Sequence, residues 1–165
     1  MPTTIKIFIG ADHAGFALKE HVKKFLDQKK VAYQDLGNTI LDKNDDYPDF
    51  SFSVAVAVAK QKNSIGLLFC GSAQGACITA NKVKGIRAAE ARNVKEGWLA
   101  RAHDDVNVLC LPGGQQLQKT ARGLGVSPVA AQKIITAWLS ASFPAAARHA
   151  RRVAKIKKIE QKNFK

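Results

Sequence analysis

The sequence is poor in cysteine, in aromatic residues and in long apolar runs. Its three cysteines, Cys70, Cys77 and Cys110, form no CxxC pair, and their odd number argues against a disulfide framework. Reduced thiols of this kind favour a cytoplasmic location. No apolar stretch approaches the ~20 residues that a membrane-spanning helix needs, and the first residues lack the order of a signal peptide. We therefore expect neither a disulfide-rich secreted domain nor a membrane protein.

Acidic residues are also scarce, since 13 Asp and Glu stand against 26 Lys and Arg, for a net charge of +13. Much of the excess lies in residues 148–165, where Glu160 is the single acidic residue. A basic segment can bind nucleic acid through phosphate charge alone, but no aromatic RNA-binding signature accompanies it here. We favour the solvated end of a helix in a protein that acts on small anionic substrates.

Short apolar runs alternate with helical segments along the 165 residues, a length typical of one domain. The predicted strands are 5–10, 31–36, 65–70, 86–91 and 106–111. Helices are predicted at 14–29, 49–62, 94–103, 128–142 and 146–161, with a short one ending near residue 83. This alternation predicts a single α/β domain over residues 1–165, with a parallel sheet covered by helices on both faces.

In open parallel sheets the ligand lies beyond the carboxyl ends of the strands. The residues that this rule selects are Asp12 and His13 after strand one, Cys70, Gly71 and Ser72 at the end of strand three, and His103 and Asp104 ahead of strand five. We expect these side chains to gather at one edge of the sheet.

The turn at 71–75 contains two glycines and precedes a helix, so its N–H groups could hold a phosphate or a developing oxyanion. An ordinary strand-to-helix turn is the alternative, because the segment is neither a Walker motif nor GxGxxG. Cys70 is either a small buried apolar residue or a base whose thiolate the helix N-terminus stabilises. Cys77 and Cys110 are assigned to packing.

The histidines and arginines also allow two interpretations each. His21 lies among lysines and is expected to be solvated, whereas His13 suits a hydrogen-bonding or anion-binding role. His103 ends a helix, where a charged imidazole is favoured, or simply caps it. Arg148 and Arg152, at i and i+4, can clamp one phosphate or can form a solvated face. The candidate ligands are widely spaced, so no metal site is predicted.

Six short motifs occur in a fixed order. They are DHAGF at 12–16, DYP at 46–48, CGS at 70–72, NK and GIRA at 81–82 and 85–88, HDDVNVL at 103–109, and RH with a further arginine at 148–152. In this order and spacing the sequence strongly resembles the ribose-5-phosphate isomerase B family, which includes the galactose-6-phosphate isomerase subunits. The resemblance covers residues 5–159.

The resemblance implies a three-layer αβα Rossmann-like sandwich with a five-stranded parallel sheet and a C-terminal helix. It implies a homodimer or a dimer of dimers with active sites shared between subunits. It also implies an aldose–ketose isomerisation of a small phosphorylated sugar, ribose 5-phosphate first, through a cis-enediolate and without metal or cofactor.

The resemblance implies a role for each site residue as well. Cys70 would move the proton between C1 and C2. The groups that would stabilise the enediolate are Ser72 and the backbone N–H groups from Gly71 to Gly75. His103, with Asp12 nearby, would open the sugar ring. The remaining contacts with the substrate would come from His13, Arg148 and Arg152 at the phosphate, from Tyr47 at the wall of the site, and from Asp104.

The chain departs from the family pattern at four positions. Ala73 replaces a glycine, which implies strain if that residue has positive φ. Asp104 replaces an asparagine, Gln115 stands near the position of an arginine, and Ala76 replaces the glutamate base of some relatives. These changes leave two alternatives open, an isomerase of another, six-carbon aldose phosphate and a non-catalytic sugar-phosphate-binding relative. A nucleic-acid-binding protein is third, on net charge alone.

Overall fold

The computed structural model describes residues 5–114, 123–144 and 147–164. In these residues the chain forms five strands and six helices. The strands are β1 (Lys6–Ala11), β2 (Tyr33–Asp35), β3 (Ser64–Cys70), β4 (Ala88–Glu90) and β5 (Val108–Pro112). The helices are α1 (Phe16–Gln28), α2 (Tyr47–Lys60), α3 (Gln74–Ala80), α4 (Val94–Asp104), α5 (Pro128–Ser140) and α6 (Ala147–Asn163).

All five strands are parallel and lie in the order β2-β1-β3-β5-β4. The chain passes from β1 to β2 on one side and then crosses to β3 on the other side. β1 and β3 are therefore neighbours at the point where the direction of the crossovers reverses. In sheets of this type a crevice opens there, beyond the carboxyl ends of the two strands. The predicted α/β fold and five-stranded parallel sheet are confirmed.

Two hydrophobic clusters, one on each face of the sheet, hold the helices in place. β3 is buried along its whole length. Its Leu67 and Phe69 lie in the first cluster with Trp138 of α5, and its Leu68 lies in the second with Val54 of α2. Because successive side chains of a strand point to opposite faces, a strand covered on both sides needs an unbroken apolar run. The apolar residues at 65–70 therefore predict a strand that is covered on both faces.

The helices divide between the two clusters. α1, α4 and α5 supply side chains to the first cluster, and α2 and α3 supply side chains to the second. Cys110 of β5 is buried in the second cluster and Cys77 of α3 packs against it, which confirms that these two cysteines serve in packing. The result is the three-layer arrangement that the resemblance implied.

The basic C-terminal segment forms α6, which packs against α4. His149 and Val153 are its buried residues. Its far end is fixed to the turn after α3, because the backbone N–H of Gly85 donates to the Glu160 carboxylate at 2.6 Å. The basic segment is therefore a docked helix, and its lysines are exposed.

β2 and β4 have three residues each, half the length of the predicted strands. Both are outermost strands of the sheet. Each has one neighbouring strand and pairs only along the residues that face it. Apolar pattern alone does not distinguish edge strands from central ones. Within the described ranges, no helix is both long enough and apolar enough to cross a membrane.

Candidate active site

The turn after β1 places a buried carboxylate at the crevice. Asp12 is 6% exposed, and its Oδ1 accepts a hydrogen bond from the backbone N–H of Gly15 at 2.9 Å. The turn packs directly on β3, since a Cβ at Gly15 would lie 2.2 Å from the carbonyl oxygen of Phe69. Burial raises the pKa of Asp12 above its ordinary value, although the Gly15 hydrogen bond and His13 act in the opposite direction.

Cys70 ends β3 beside this carboxylate and is 5% exposed. Burial raises the pKa of the Cys70 thiol, and the negative charge of Asp12 raises it further. The backbone N–H groups of Ser72, Ala73 and Ala76 point at the sulfur and lower the pKa, but they do not compensate. In the single folded chain, burial and the Asp12 charge therefore outweigh the predicted stabilisation of the thiolate, and the role of Cys70 as a base stays a prediction.

The turn after Cys70 brings Tyr47 and Gly75 into contact. A Cβ at Gly75 would lie 2.5 Å from Cζ of Tyr47, so only glycine allows the ring to rest on the start of α3. Tyr47 itself is 39% exposed and borders the crevice. Ser72 Oγ accepts from the N–H of Gln74 at 3.4 Å, and the carbonyl oxygen of Gly71 accepts from the N–H of Gly114 at 3.1 Å.

Ala73, which replaces a glycine of the family pattern, has a left-handed backbone. This is the condition under which the replacement implies strain. Its φ is +68° and its side chain is fully buried. Such a conformation brings Cβ of a non-glycine residue close to the backbone, at a cost of about 1 kcal/mol or more. The strain lies in the turn whose N–H groups face Cys70.

His13 is held by a carboxylate that sequence reasoning missed. Oδ1 of Asp45 accepts from the backbone N–H of His13 at 2.8 Å and from its ring Nδ1 at 2.7 Å. The other oxygen of Asp45 accepts from the side-chain amide of Asn38. Burial alone would lower the pKa of His13, but the Asp45 hydrogen bond and the charges of Asp12 and Asp45 outweigh it and raise the pKa. The loop at 38–46 offers several Asp and Asn residues, and no periodic signal distinguishes Asp45 among them.

His103 and Asp104 lie at the amino edge of the sheet, where the strands begin, and Cys70 lies at the carboxyl edge, where they end. α4 runs from the end of β4 back to the start of β5, so its last residues lie at the amino ends of the parallel strands. Gly66 pairs with Val108, which puts Cys70 four residues, or about 13 Å, beyond the level at which β5 begins. The expectation that all candidate residues gather at one edge is therefore wrong within one chain. Residues that precede a parallel strand lie at its amino end, and the ligand rule does not select them.

His103 packs between two aromatic rings. Its imidazole stacks on that of His149 with ring centroids 4.1 Å apart and planes at 20°, and the edge of Trp98 lies 6.1 Å away. Nε of Arg148 donates to Nε2 of His149 at 3.1 Å. Burial lowers the pKa of His149, and His103, Arg148 and Arg152 lower it further. His149 is therefore a neutral imidazole near pH 7.

The same edge carries the two candidate phosphate ligands. Arg148 and Arg152 are exposed and lie one turn apart on α6. Arg148 lines, with His103 and Trp98, an open groove of about 710 Å³. Asp104 is exposed directly after His103. This group supplies cations and an imidazole, whereas the group at the crevice supplies a thiol and a carboxylate.

Arg87 fixes the end of α4 that presents His103. Its Nε and Nη2 atoms donate to the carbonyl oxygen of Asp105 at 3.0 and 2.7 Å, and Nη2 also pairs with the Asp105 carboxylate at 2.7 Å. Asp105 has φ of +49°, a left-handed helix end whose carbonyl groups Arg87 satisfies. The sequence motif contained Arg87, but only the sheet order shows that β4 and the end of α4 are adjacent.

One chain thus forms two half-sites, which we define by their residues. The carboxyl-edge half-site contains Asp12, His13, Tyr47, Cys70, Gly71, Ser72 and Gly75. The amino-edge half-site contains His103, Asp104, Arg148 and Arg152, with His149 beneath them. Gln115 lies outside the described residues. Within residues 5–114, 123–144 and 147–164, no group of three or more His, Cys, Asp or Glu side chains is placed to hold a metal ion.

Comparison with known proteins assigns the chain to a family. Residues 7–156 match the profile of the family described as Ribose/Galactose Isomerase. The chain is 44% identical over 150 residues to the probable ribose-5-phosphate isomerase B of Mycoplasma pneumoniae, with 91% of each chain covered. It is 37% identical to the D-erythrulose-4-phosphate isomerase of Pectobacterium atrosepticum, with 84% of this chain and 85% of that one covered.

A solved structure agrees with these sequence matches. The crystal structure of ribose-5-phosphate isomerase B from Mycoplasma genitalium with bound ribulose-5-phosphate has a TM-score of 0.85 and 41% identity, and the match covers 96% of this chain and 97% of that one. The fold and these matches define a sugar-phosphate isomerase. The chain belongs to the Ribose/Galactose Isomerase family, and its relatives at about 40% identity are named ribose-5-phosphate isomerase B.

Proposed function

We propose that the protein interconverts ribose 5-phosphate and ribulose 5-phosphate by an aldose–ketose isomerisation, with Cys70 as the base. The observation that carries the proposal is the placement of the Cys70 sulfur at the junction of β1 and β3, with the Asp12 carboxylate beside it and three backbone N–H groups facing it. The relative from Mycoplasma genitalium was solved with ribulose-5-phosphate, which supports this pair of sugars.

The reaction moves one proton between carbon atoms and one between oxygen atoms. In the aldose-to-ketose direction the Cys70 thiolate takes the proton from C2, and the electron pair of that bond forms the C1=C2 bond of the enediolate. The same proton then returns to C1, while the proton on O2 passes to O1. Ser72 and the N–H groups of the turn at 71–75 would stabilise the charge that develops on the oxygen atoms.

The resting thiol must first lose its proton. We infer that Asp12 accepts that proton, because its charge acts on Cys70 and burial raises its own pKa, which makes it a stronger base than an exposed aspartate. A neutral Asp12 no longer opposes the thiolate, and the three N–H groups then favour it. In this proposal Asp12 prepares the base for the transfer between C1 and C2.

We also propose that two copies of the chain share each active site, in a homodimer or a dimer of dimers. The carboxyl-edge half-site holds the base, whereas the amino-edge half-site holds His103 for ring opening and Arg148 and Arg152 for the phosphate. Because these half-sites lie at opposite edges of one sheet, a complete site needs the amino edge of a second copy. His13, which Asp45 keeps cationic over a wider pH range, would complete the phosphate contacts.

The test is proton exchange at C2 of ribose 5-phosphate, which reports the half-reaction directly. Replacing Cys70 with alanine should reduce exchange and turnover by ~10²–10⁴-fold, the usual value of a general base. Cys77→Ala is the matched control, because that thiol serves in packing, and it should retain both activities. Near wild-type exchange in the Cys70→Ala protein would refute the assignment of the base.

A second candidate substrate class is another aldose phosphate, of four or six carbons. Asp104 favours it, because an exposed carboxylate beside His103 replaces the amide donor of the family pattern and repels an anionic ligand. A relative from Pectobacterium is named for erythrulose 4-phosphate, which supports a four-carbon sugar as a candidate substrate. We expect weak activity on ribose 5-phosphate.

A panel of aldose phosphates, assayed with the wild type and with Asp104→Asn, separates the two candidates. The substitution should raise kcat/KM for ribose 5-phosphate, and Asp49→Asn, at an exposed carboxylate on α2, should not. If the wild type already reaches a kcat/KM of ~10⁴ M⁻¹s⁻¹ on ribose 5-phosphate, the second candidate is unnecessary. Binding without exchange on every sugar would instead indicate a non-catalytic relative.

A further inference from the structure

His149 is a buried side chain near the start of α6. Its ring contacts two candidate site residues, His103 and Arg148. It is 5% exposed, although Arg148, Arg151 and Arg152 around it on the same helix are exposed. One face of its ring lies on His103 at 4.1 Å between centroids. At its edge, Nε2 is 3.1 Å from Nε of Arg148.

These contacts fix the proton of His149. A guanidinium group donates hydrogen bonds and cannot accept them, so Nε2 of His149 is the acceptor and carries no proton. The ring proton then lies on Nδ1, which is buried and has no hydrogen-bond partner among the described residues. The lowered pKa of His149 agrees with this neutral form. Protonation of Nε2 would remove the acceptor of Arg148 and would set a cation against it.

We propose that His149 is a positioning residue with two separable actions, the ring holding the imidazole of His103 and the Nε2 atom orienting the guanidinium of Arg148. The inference rests on the proposed function, in which His103 opens the sugar ring and Arg148 binds the phosphate. His149 lies beneath both groups and need not touch the substrate. Its effects therefore divide between kcat, through His103, and KM, through Arg148.

Three substitutions separate the two actions. His149→Phe retains an aromatic ring for His103 and removes the acceptor for Arg148. His149→Gln places an amide oxygen near the position of Nε2 and removes the ring. His149→Asn removes both, because its shorter amide corresponds to the Nδ1 position. A loss of packing alone would affect the three variants in proportion to their loss of stability, and would not divide kcat from KM.

The experiment measures kcat and KM for ribose 5-phosphate, or for the best sugar of the panel, together with the temperature of unfolding. His149→Phe should raise KM about fivefold, the value of one lost hydrogen bond, with kcat within about twofold of wild type. His149→Gln should lower kcat roughly tenfold with little change in KM. His149→Asn should show both effects, and it tests the same KM effect if the phenylalanine variant does not fold.

Reference variants distinguish failure of this inference from failure of the proposed function. Arg148→Ala should raise KM, His103→Ala should lower kcat, and Lys155→Ala, exposed on the same helix, should change neither. If these behave as expected but His149→Phe and His149→Gln alter kcat and KM alike, the inference is wrong and the proposed function stands. If Arg148→Ala and His103→Ala have no effect, the proposed roles fail and the inference fails with them.

Discussion

Cys70 and Asp12 lie beside each other at the carboxyl ends of β3 and β1, where burial and the Asp12 carboxylate together raise the pKa of the Cys70 thiol. Burial raises the pKa of both groups, and in the single chain the Asp12 charge opposes ionisation of the Cys70 thiol. In the proposed mechanism, the proton of the sulfur passes to this carboxylate before the reaction. This relationship can be measured without any substrate.

Replacing Asp12 with asparagine should lower the pKa of Cys70. The substitution removes the negative charge that opposes the thiolate, and the amide oxygen can still accept the hydrogen bond from Gly15. The measurement is the ultraviolet absorbance of the thiolate as a function of pH, with Cys70→Ala as the baseline. The exposed carboxylate variant Asp49→Asn should leave the titration unchanged. A Cys70 pKa that stays the same or rises in Asp12→Asn would show that the carboxylate does not act on the sulfur.

Arg148 and Arg152 should bind the phosphate as a pair, and Arg151 should not contribute. Alanine at 148 or 152 should raise KM roughly tenfold or more, since a charged hydrogen bond to phosphate is lost, while kcat changes little. Arg151 is equally exposed on the same helix and carries the same charge, which makes Arg151→Ala the matched control. Steady-state kinetics at constant ionic strength give both constants. Equal increases in KM at 151 and 152 would mean that general charge on α6, and no specific clamp, attracts the substrate.

Replacing Ala73 with glycine should stabilise the protein. Ala73 has φ of +68°, a conformation that glycine adopts without steric cost, and the relief exceeds the added flexibility of the unfolded chain. We expect the free energy of unfolding to rise by about 0.5–1 kcal/mol in urea denaturation. Ala76→Gly is the control: Ala76 is equally buried, but it lies inside α3, where glycine should lower that free energy by about 1 kcal/mol.

His13 should make the stability of the protein depend on pH in a defined direction. Because Asp45 and Asp12 raise its pKa in the folded state, the folded chain binds the proton of His13 more tightly than the unfolded chain does. This stabilisation is fully present below about pH 6.5, the ordinary value, and is lost as pH rises through the raised pKa. Asp12 acts in the same direction: its pKa is also raised, so its ionisation lowers the free energy of unfolding as pH rises above about 3.8.

The difference in free energy of unfolding between the wild type and His13→Gln isolates the first effect. It should be largest at acidic pH and should shrink as the solution is made alkaline. His21→Gln, exposed on α1, provides the control for replacing a histidine with glutamine and should show a small difference. A difference for His13→Gln that grows with pH would contradict the raised pKa.

The layers and strands of this fold could be predicted because each depends on local pattern. β3 is an unbroken apolar run, and each glycine or proline that bounds an element is visible in the sequence. The order of the strands could not be predicted in the same way, since it depends on which faces meet after collapse. That order decides where residues outside the strands lie. The expectation that His103 lies near Cys70 has a different cause: His103 precedes β5, and a residue that precedes a parallel strand lies at the amino end of the sheet.

The candidate site divides in a similar way. Cys70, Asp12 and the turn at 71–75 were predictable, because they follow strands whose ends meet at one edge. Asp45 and His149 were not, because each acts through a contact between segments distant in the chain, and an aspartate in a polar loop or a histidine in a basic helix has no distinctive pattern. The thiol form of Cys70 depends on burial, which sequence indicates only roughly.

The opposite placement of the two half-sites predicts how mutant chains behave in the proposed dimer. If each site takes one edge from each copy, a chain with Cys70→Ala and a chain with His103→Ala are both inactive alone. A mixed dimer of the two carries both lesions in one site and neither lesion in the other. Unfolding and refolding an equal mixture should therefore restore up to about a quarter of wild-type activity, since half of the dimers are mixed and each has one intact site. Complementation between two inactive proteins is therefore expected, because α4 crosses the sheet and places His103 at the edge opposite Cys70.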